Sequence, residues 1–172
     1  MKNLSKLLVI STLGITVSGL VFAATQSFNA PVRFVRPISF ANAVNPNLGD
    51  WYTGASGRNI GITQAGVATG TNVADYVSGA TAGSVDILGS PSRTISIVAN
   101  NFQNNGGGVD IATVPCRWNG GAATSCNGVG ITGASTIIAG RTLALGVTAN
   151  TNAVSTDGQT ANPSFDIVVN YE

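Results

Sequence analysis

The sequence predicts an all-β protein, an immunoglobulin-like β-sandwich of about seven to nine short strands. Three observations carry that expectation. Apolar residues recur with period two in runs of roughly four to eight residues rich in Val and Ile. Clusters of Gly, Asn, Pro and Asp, such as NPNLGD, GSPS, NNFQNNGGG and TDGQTANP, separate the runs and supply positive or fixed φ. No segment sustains the period of an amphipathic helix.

In chain order, residues 1–23 (MKNLSKLLVISTLGITVSGLVFA) come first. Lys2 and Lys6 form a basic start, an apolar run follows from Leu7, and Ala23 closes the stretch with a small side chain. That is the pattern of a secretory signal. The apolar run is shorter than the roughly twenty residues of a membrane span and is broken by Ser11, Gly14 and Ser18. The chain is therefore expected to be exported by the general secretory route to the periplasm, cell surface or medium, with no transmembrane segment after cleavage. About 150 residues then remain, enough for one domain with a core.

Residues 24–36 are expected to form an N-terminal arm and residues 37–172 the sandwich. In PVRFVRPISF, Val32, Phe34, Ile38 and Phe40 share one parity. Strand patterns follow at residues 58–63 (RNIGIT), 82–88 (AGSVDIL), 94–99 (TISIVA), 109–114 (VDIATV), 142–148 (TLALGVT) and 164–171. Cys116 and Cys126, the two cysteines of the chain, flank an Asn119-Gly120-Gly121 turn. An even count in an exported chain implies a disulfide that staples the arms of a hairpin, worth roughly 2–3 kcal/mol.

The inventory for catalysis is poor. The chain has no histidine, which removes His-based triads and the commonest metal ligand. Without the signal there is no lysine either. The six aspartates, Asp50, Asp75, Asp86, Asp110, Asp157 and Asp166, stand in no recognisable motif and read as turn and surface residues. Gly128, Gly130 and Gly133 match GxGxxG, but that pattern binds dinucleotides only between a strand and a helix, so these glycines are expected in turns. Net charge is +1 over 172 residues, with no basic face for nucleic acid. Neither an enzyme nor a cofactor site is expected. Trp51-Tyr52 and Trp118 are candidate sugar-stacking aromatics, but the favoured reading is structural, with both indoles capping the ends of the sandwich. Trp118, in the hairpin, is the candidate ligand contact of a self-contained binding module.

The two ends of the mature chain alternate as strands do. Phe165, Ile167, Val169 and Tyr171 form one face of the closing segment; Phe28, Ala30, Val32 and Phe34 form one face of the arm. In this they resemble subunits of chaperone–usher pili, where an incomplete sandwich accepts the N-terminal arm of the next subunit. The resemblance implies a donor strand carrying Phe28, Ala30, Val32 and Phe34. It implies an acceptor edge at Phe165, Ile167, Val169 and Tyr171, and a periplasmic chaperone as partner. Burying the four arm side chains would contribute about 5–8 kcal/mol at most, before ordering costs. Pro31 and Pro37 each remove a ladder donor, and the arm also reads as the first strand of its own sandwich.

The order of segments is also similar to an exported bacterial family catalogued as domain of unknown function 4402. The likeness lies in Arg36-Pro-Ile-Ser-Phe40 with Leu48-Gly49, and in Gly89-Ser-Pro-Ser-Arg-Thr-Ile-Ser-Ile97. It continues in Ile138-Ala-Gly-Arg-Thr-Leu-Ala-Leu145 and Phe165-Asp-Ile-Val-Val-Asn-Tyr171. It implies a pilin-like surface subunit that associates with itself or a pilin-like partner, and it brings no catalytic residues.

Overall fold

The computed structural model describes residue 29 and residues 31–91, 93–135 and 140–172. The expected signal and the arm residues Phe28 and Ala30 lie outside the described residues. The chain divides into a unit Met1–Arg33 and a unit Phe34–Glu172. Of the first, Asn29 and residues 31–33 are described; they are exposed and belong to no strand.

The second unit is all-β and sandwich-like, built from several antiparallel sheets. A five-stranded sheet has the order β1 (Ser39–Val44), β6 (Gly83–Leu88), β12 (Arg141–Leu145), β9 (Pro115–Trp118), β10 (Ala123–Ser125). A three-stranded sheet has the order β11 (Ile131–Ser135), β7 (Thr94–Gln103), β14 (Ser164–Tyr171). These two share one core: Val85, Ile87, Leu143 and Leu145 come from the first, and Ile95, Ile97, Ala99 and Ala134 from the second. Alternation explains the composition. In β6, and in β7 as far as Ala99, every second residue is buried, as period two requires of a sheet covered on one face.

A four-stranded sheet has the order β4 (Ala68–Thr69), β3 (Asn59–Ile62), β13 (Val147–Thr151), β8 (Val109–Thr113). The pair β2 (Asp50–Trp51) and β5 (Tyr76–Ser78) stands beside a single 3-10 turn at Val73–Asp75. Among the described residues no helix is long and apolar enough to cross a membrane.

Two long strands carry the chain from one sheet into the next. TLALGVT, expected as one strand, divides at Gly146. Before it, β12 pairs with β6 and β9; after it, β13 pairs with β3 and β8. The Gly146 N–H donates to the Pro115 carbonyl at 2.8 Å, so the break falls level with the junction of β8 and β9. Close approach dictates the glycine. A Cβ there would stand 2.5 Å from the Ile62 carbonyl oxygen and 2.9 Å from the Thr63 carbonyl carbon.

The expected disulfide is present. Cys116 in β9 and Cys126 just after β10 are bonded, with both side chains fully buried. Thr124 lies opposite Cys116 in the ladder, so the bridge does staple a hairpin. It also marks a crossing, because the Cys126 carbonyl accepts the Ala99 N–H of β7 at 2.7 Å while its own N–H donates to Val114.

Two expectations need correction. PVRFVRPISF does not form a strand as a whole. Residues 31–38 lie outside any strand and β1 starts only at Ser39. Pro31 and Pro37 have no N–H to give a ladder, so pairing starts beyond the second of them. The GxGxxG glycines are only partly turn residues. Gly133 lies inside β11, at the bulge where its pairing with β7 shifts between Ile131 and Ala134.

Replacing Gly146 by Ala is expected to cost about 1–3 kcal/mol, because the added methyl meets backbone that cannot rotate away. Chemical denaturation measures it. An unchanged midpoint would contradict the close packing of the β12–β13 junction on β3.

Candidate functional site

Strand β14 is an edge. Among the described residues its ladder partner is β7 alone, from Ser164 opposite Gln103 to Tyr171 opposite Ile95. Phe165, Ile167, Val169 and Tyr171 all turn toward the core, as the alternation requires, and Asp166, Val168 and Asn170 turn outward. The inward set is nevertheless only half-buried, whereas Ile95 and Ile97 of the neighbouring strand are fully buried. Packing on that face of β14 is incomplete.

Across from it lies β1, whose partner among the described residues is β6 alone. Phe40 and Val44 of β1 leave about half their surface in solvent, at 51% and 52%. Between the two edges runs an open groove of about 930 Å³. Phe40 and Val44 line one wall, Phe165 and Ile167 the other, and Val85 and Leu145 lie between them.

The far end of β14 is occupied by the chain itself. The Tyr171 hydroxyl donates to the Arg36 carbonyl at 2.6 Å and accepts the Ser90 N–H at 2.7 Å. Ile38 packs against the core beside it. Tyr171 therefore serves as a latch between the segment entering β1, the loop leaving β6 and the end of β14. A hydroxyl with both partners in place has little left to offer an outside protein.

The β1 wall is fixed by Asp86 on the solvent face of β6. Its carboxylate accepts from Asn42 Nδ2 of β1 at 2.8 Å and from Thr142 Oγ1 of β12 at 2.6 Å. Asn42 sits at φ 51°, at the bulge that shifts the β1 register between Ala41 and Val44. The two donors, that of Thr142 first, hold the Asp86 carboxyl below its ordinary value of 3.8.

Other expected site residues are placed as follows. Val32 and Phe34 are strongly exposed, at 75% and 89%. Trp118, the candidate ligand contact of the alternative binding module, is half-buried and packs against the core, in keeping with the structural role favoured for it. Its indole nitrogen is buried with no acceptor in reach. The reason is parity: Val114, Cys116 and Trp118 share the inward face. Among the described residues no three His, Cys, Asp or Glu side chains cluster as metal ligands would.

Sequence reasoning found the β14 wall and missed the facing one. Val85 and Leu145 lie in runs whose period was evident, but nothing local says that they end beneath a groove. Comparison with protein-family models, curated proteins and solved structures finds no match. The likeness to the 4402 family and to pilus subunits therefore rests on the motifs themselves.

Two outcomes follow from the latch and the anchor. Tyr171→Phe should cost about 1–3 kcal/mol and speed amide exchange at Ser90. Because the folded value of Asp86 is depressed, its contribution is full above the unfolded carboxylate range. It is lost as pH falls through the lowered folded value. Acid unfolding followed below about pH 4 should therefore be less steep in Asp86→Ala, and an identical acid limb would remove Asp86 from the account.

Proposed function

We propose that this chain is a non-enzymatic structural or adhesive surface subunit, a pilin-like immunoglobulin-type sandwich that assembles by strand exchange. The observation that carries the reading is the groove between the β1 and β14 edges. Two strands with one ladder partner each face one another across half-covered apolar side chains. An extended segment laid there would gain main-chain hydrogen bonds from an edge and bury alternate side chains below. Exposed edges of this kind otherwise invite unspecific pairing.

The occupant we propose is the arm of a second copy, residues 24–36. Its inward face would carry Phe28, Ala30, Val32 and Phe34. Val32 and Phe34 leave most of their surface to solvent, which favours a partner that covers them. A pilin-like subunit with a similar arm would fit the same groove, and a periplasmic chaperone would guard the edge before assembly. The fully buried disulfide is in keeping with export to an oxidising compartment. The resemblance to the 4402 family points the same way.

A synthetic peptide of residues 24–36 added to the full chain tests the proposal, with a scrambled peptide as control. At a free concentration one hundred times its Kd, such a ligand adds about 2.7 kcal/mol. That corresponds to a rise in Tm of roughly 5–10 °C for a chain of this size. Phe40→Arg, which places a charge in the groove wall, should abolish the shift. A native peptide with no effect, and a chain that sediments as a monomer at every concentration, would refute strand exchange.

A further inference from the structure

A second concavity, distinct in chemistry from the groove, lies where β3, β8 and β13 end near the loop entering β14. It is a cleft of about 460 Å³, within the range of small-molecule sites. We propose that this cleft binds a neutral saccharide, with the ring of Tyr52 as its stacking face and Asp157 as its hydroxyl acceptor.

Trp51 and Tyr52, adjacent in the chain, both line the cleft. Trp51 is fixed: its Nε1 donates to the Leu48 carbonyl at 2.8 Å, and its ring meets Tyr76 edge-on with centroids 5.3 Å apart. Tyr52 is held by its backbone. Its N–H donates to the Asp75 carbonyl at 2.9 Å, and its carbonyl accepts from Arg58 Nη1 at 2.5 Å. The Tyr52 side chain itself stays out, with 64% of the residue exposed. An immobilised backbone carrying a solvent-facing ring supplies a flat apolar surface at little entropic cost. The C–H face of a pyranose is a natural complement to it.

Another part of the cleft lining is polar and held by hydrogen bonds. In the turn Thr156–Gln159, Gln159 Oε1 accepts the Thr156 N–H at 3.0 Å and Gln159 Nε2 donates to the Gly107 carbonyl at 3.1 Å. This ties the loop leaving β13 to the turn between β7 and β8. Asp157 lies at the exposed tip of that turn, and among the described residues it accepts no hydrogen bond. A carboxylate in that position accepts two adjacent hydroxyls, as a sugar edge presents them.

Charge decides between ligand classes. Arg58, the cation of the cleft, is buried and paired with Asp75 at 2.5 Å, so it is not free to meet an anion. Asp50 and Asp157 also line the cleft. Phosphorylated and sialylated ligands would meet uncompensated negative charge there. A neutral polyhydroxylated ligand with one apolar face fits both parts of the lining. The site does not depend on strand exchange, and either reading stands if the other fails.

The test is a screen of the full chain on an array of neutral and sialylated glycans. The tightest neutral binder is then titrated by tryptophan fluorescence, for which Trp51 is the reporter. Tyr52→Ala should weaken binding about tenfold, equivalent to about 1.4 kcal/mol, with little change in Tm because the ring is exposed. Asp157→Ala, in an exposed turn, gives a second variant with the same expected loss should Tyr52→Ala fold poorly. Trp118→Phe should bind as the parent does. Absence of any neutral binder, preference for sialylated glycans, or full binding by Tyr52→Ala and Asp157→Ala would each overturn the proposal.

Discussion

The core between the five-stranded and three-stranded sheets is filled by β7 and only half filled by β14, and the rest of the molecule follows from that imbalance. Ile95 and Ile97 are fully enclosed because β7 has neighbours on both sides. Phe165, Ile167 and Val169 sit on the same core but at the rim of the sheet, so solvent reaches them. On the facing sheet β1 occupies the equivalent rim. Neither edge supplies enough side chain to close the gap, and a groove remains where a further strand would lie.

What keeps such a groove open is the rigidity of its frame. The strands β8–β9 and β12–β13 run through two sheets each, so the walls cannot slide independently. The disulfide fixes the hairpin at the point where the chain crosses to β7. Tyr171 closes one end, and Asp86 ties β1 to β6 and through it to β12. An apolar gap held by hydrogen bonds at its corners does not collapse as readily as a cavity in a uniform core, where side chains relax inward. The same loops that complete the frame at the other end hold the aromatic backbone at Tyr52 and the turn at Asp157. Both concavities thus owe their shape to polar contacts rather than to the apolar core.

Much of this was legible residue by residue. Period two marked β3, β6, β7, β8 and β14 within a few positions, because each buries one face of a sheet and the alternation is its direct record. The disulfide was legible from cysteine count and the turn between. β1 was misplaced because apolar parity continued upstream through residues that lack the N–H a ladder needs. The break at Gly146 was invisible for the opposite reason: Leu143, Leu145, Val147 and Ala149 keep one parity while their partners change. Trp118 was readable in principle, since it shares its parity with Cys116.

Local periodicity and short-range spacing were enough for the all-β class, the strand faces and the covalent staple, since each depends on residues within a few positions of one another. Which strands became edges, that β1 and β14 face one another, and that Tyr52 is far more exposed than Trp118 emerge from the folded chain alone. Those outcomes depend on pairings between residues as far apart as Arg36 and Tyr171. Alternation gives a strand two faces but does not name its neighbour.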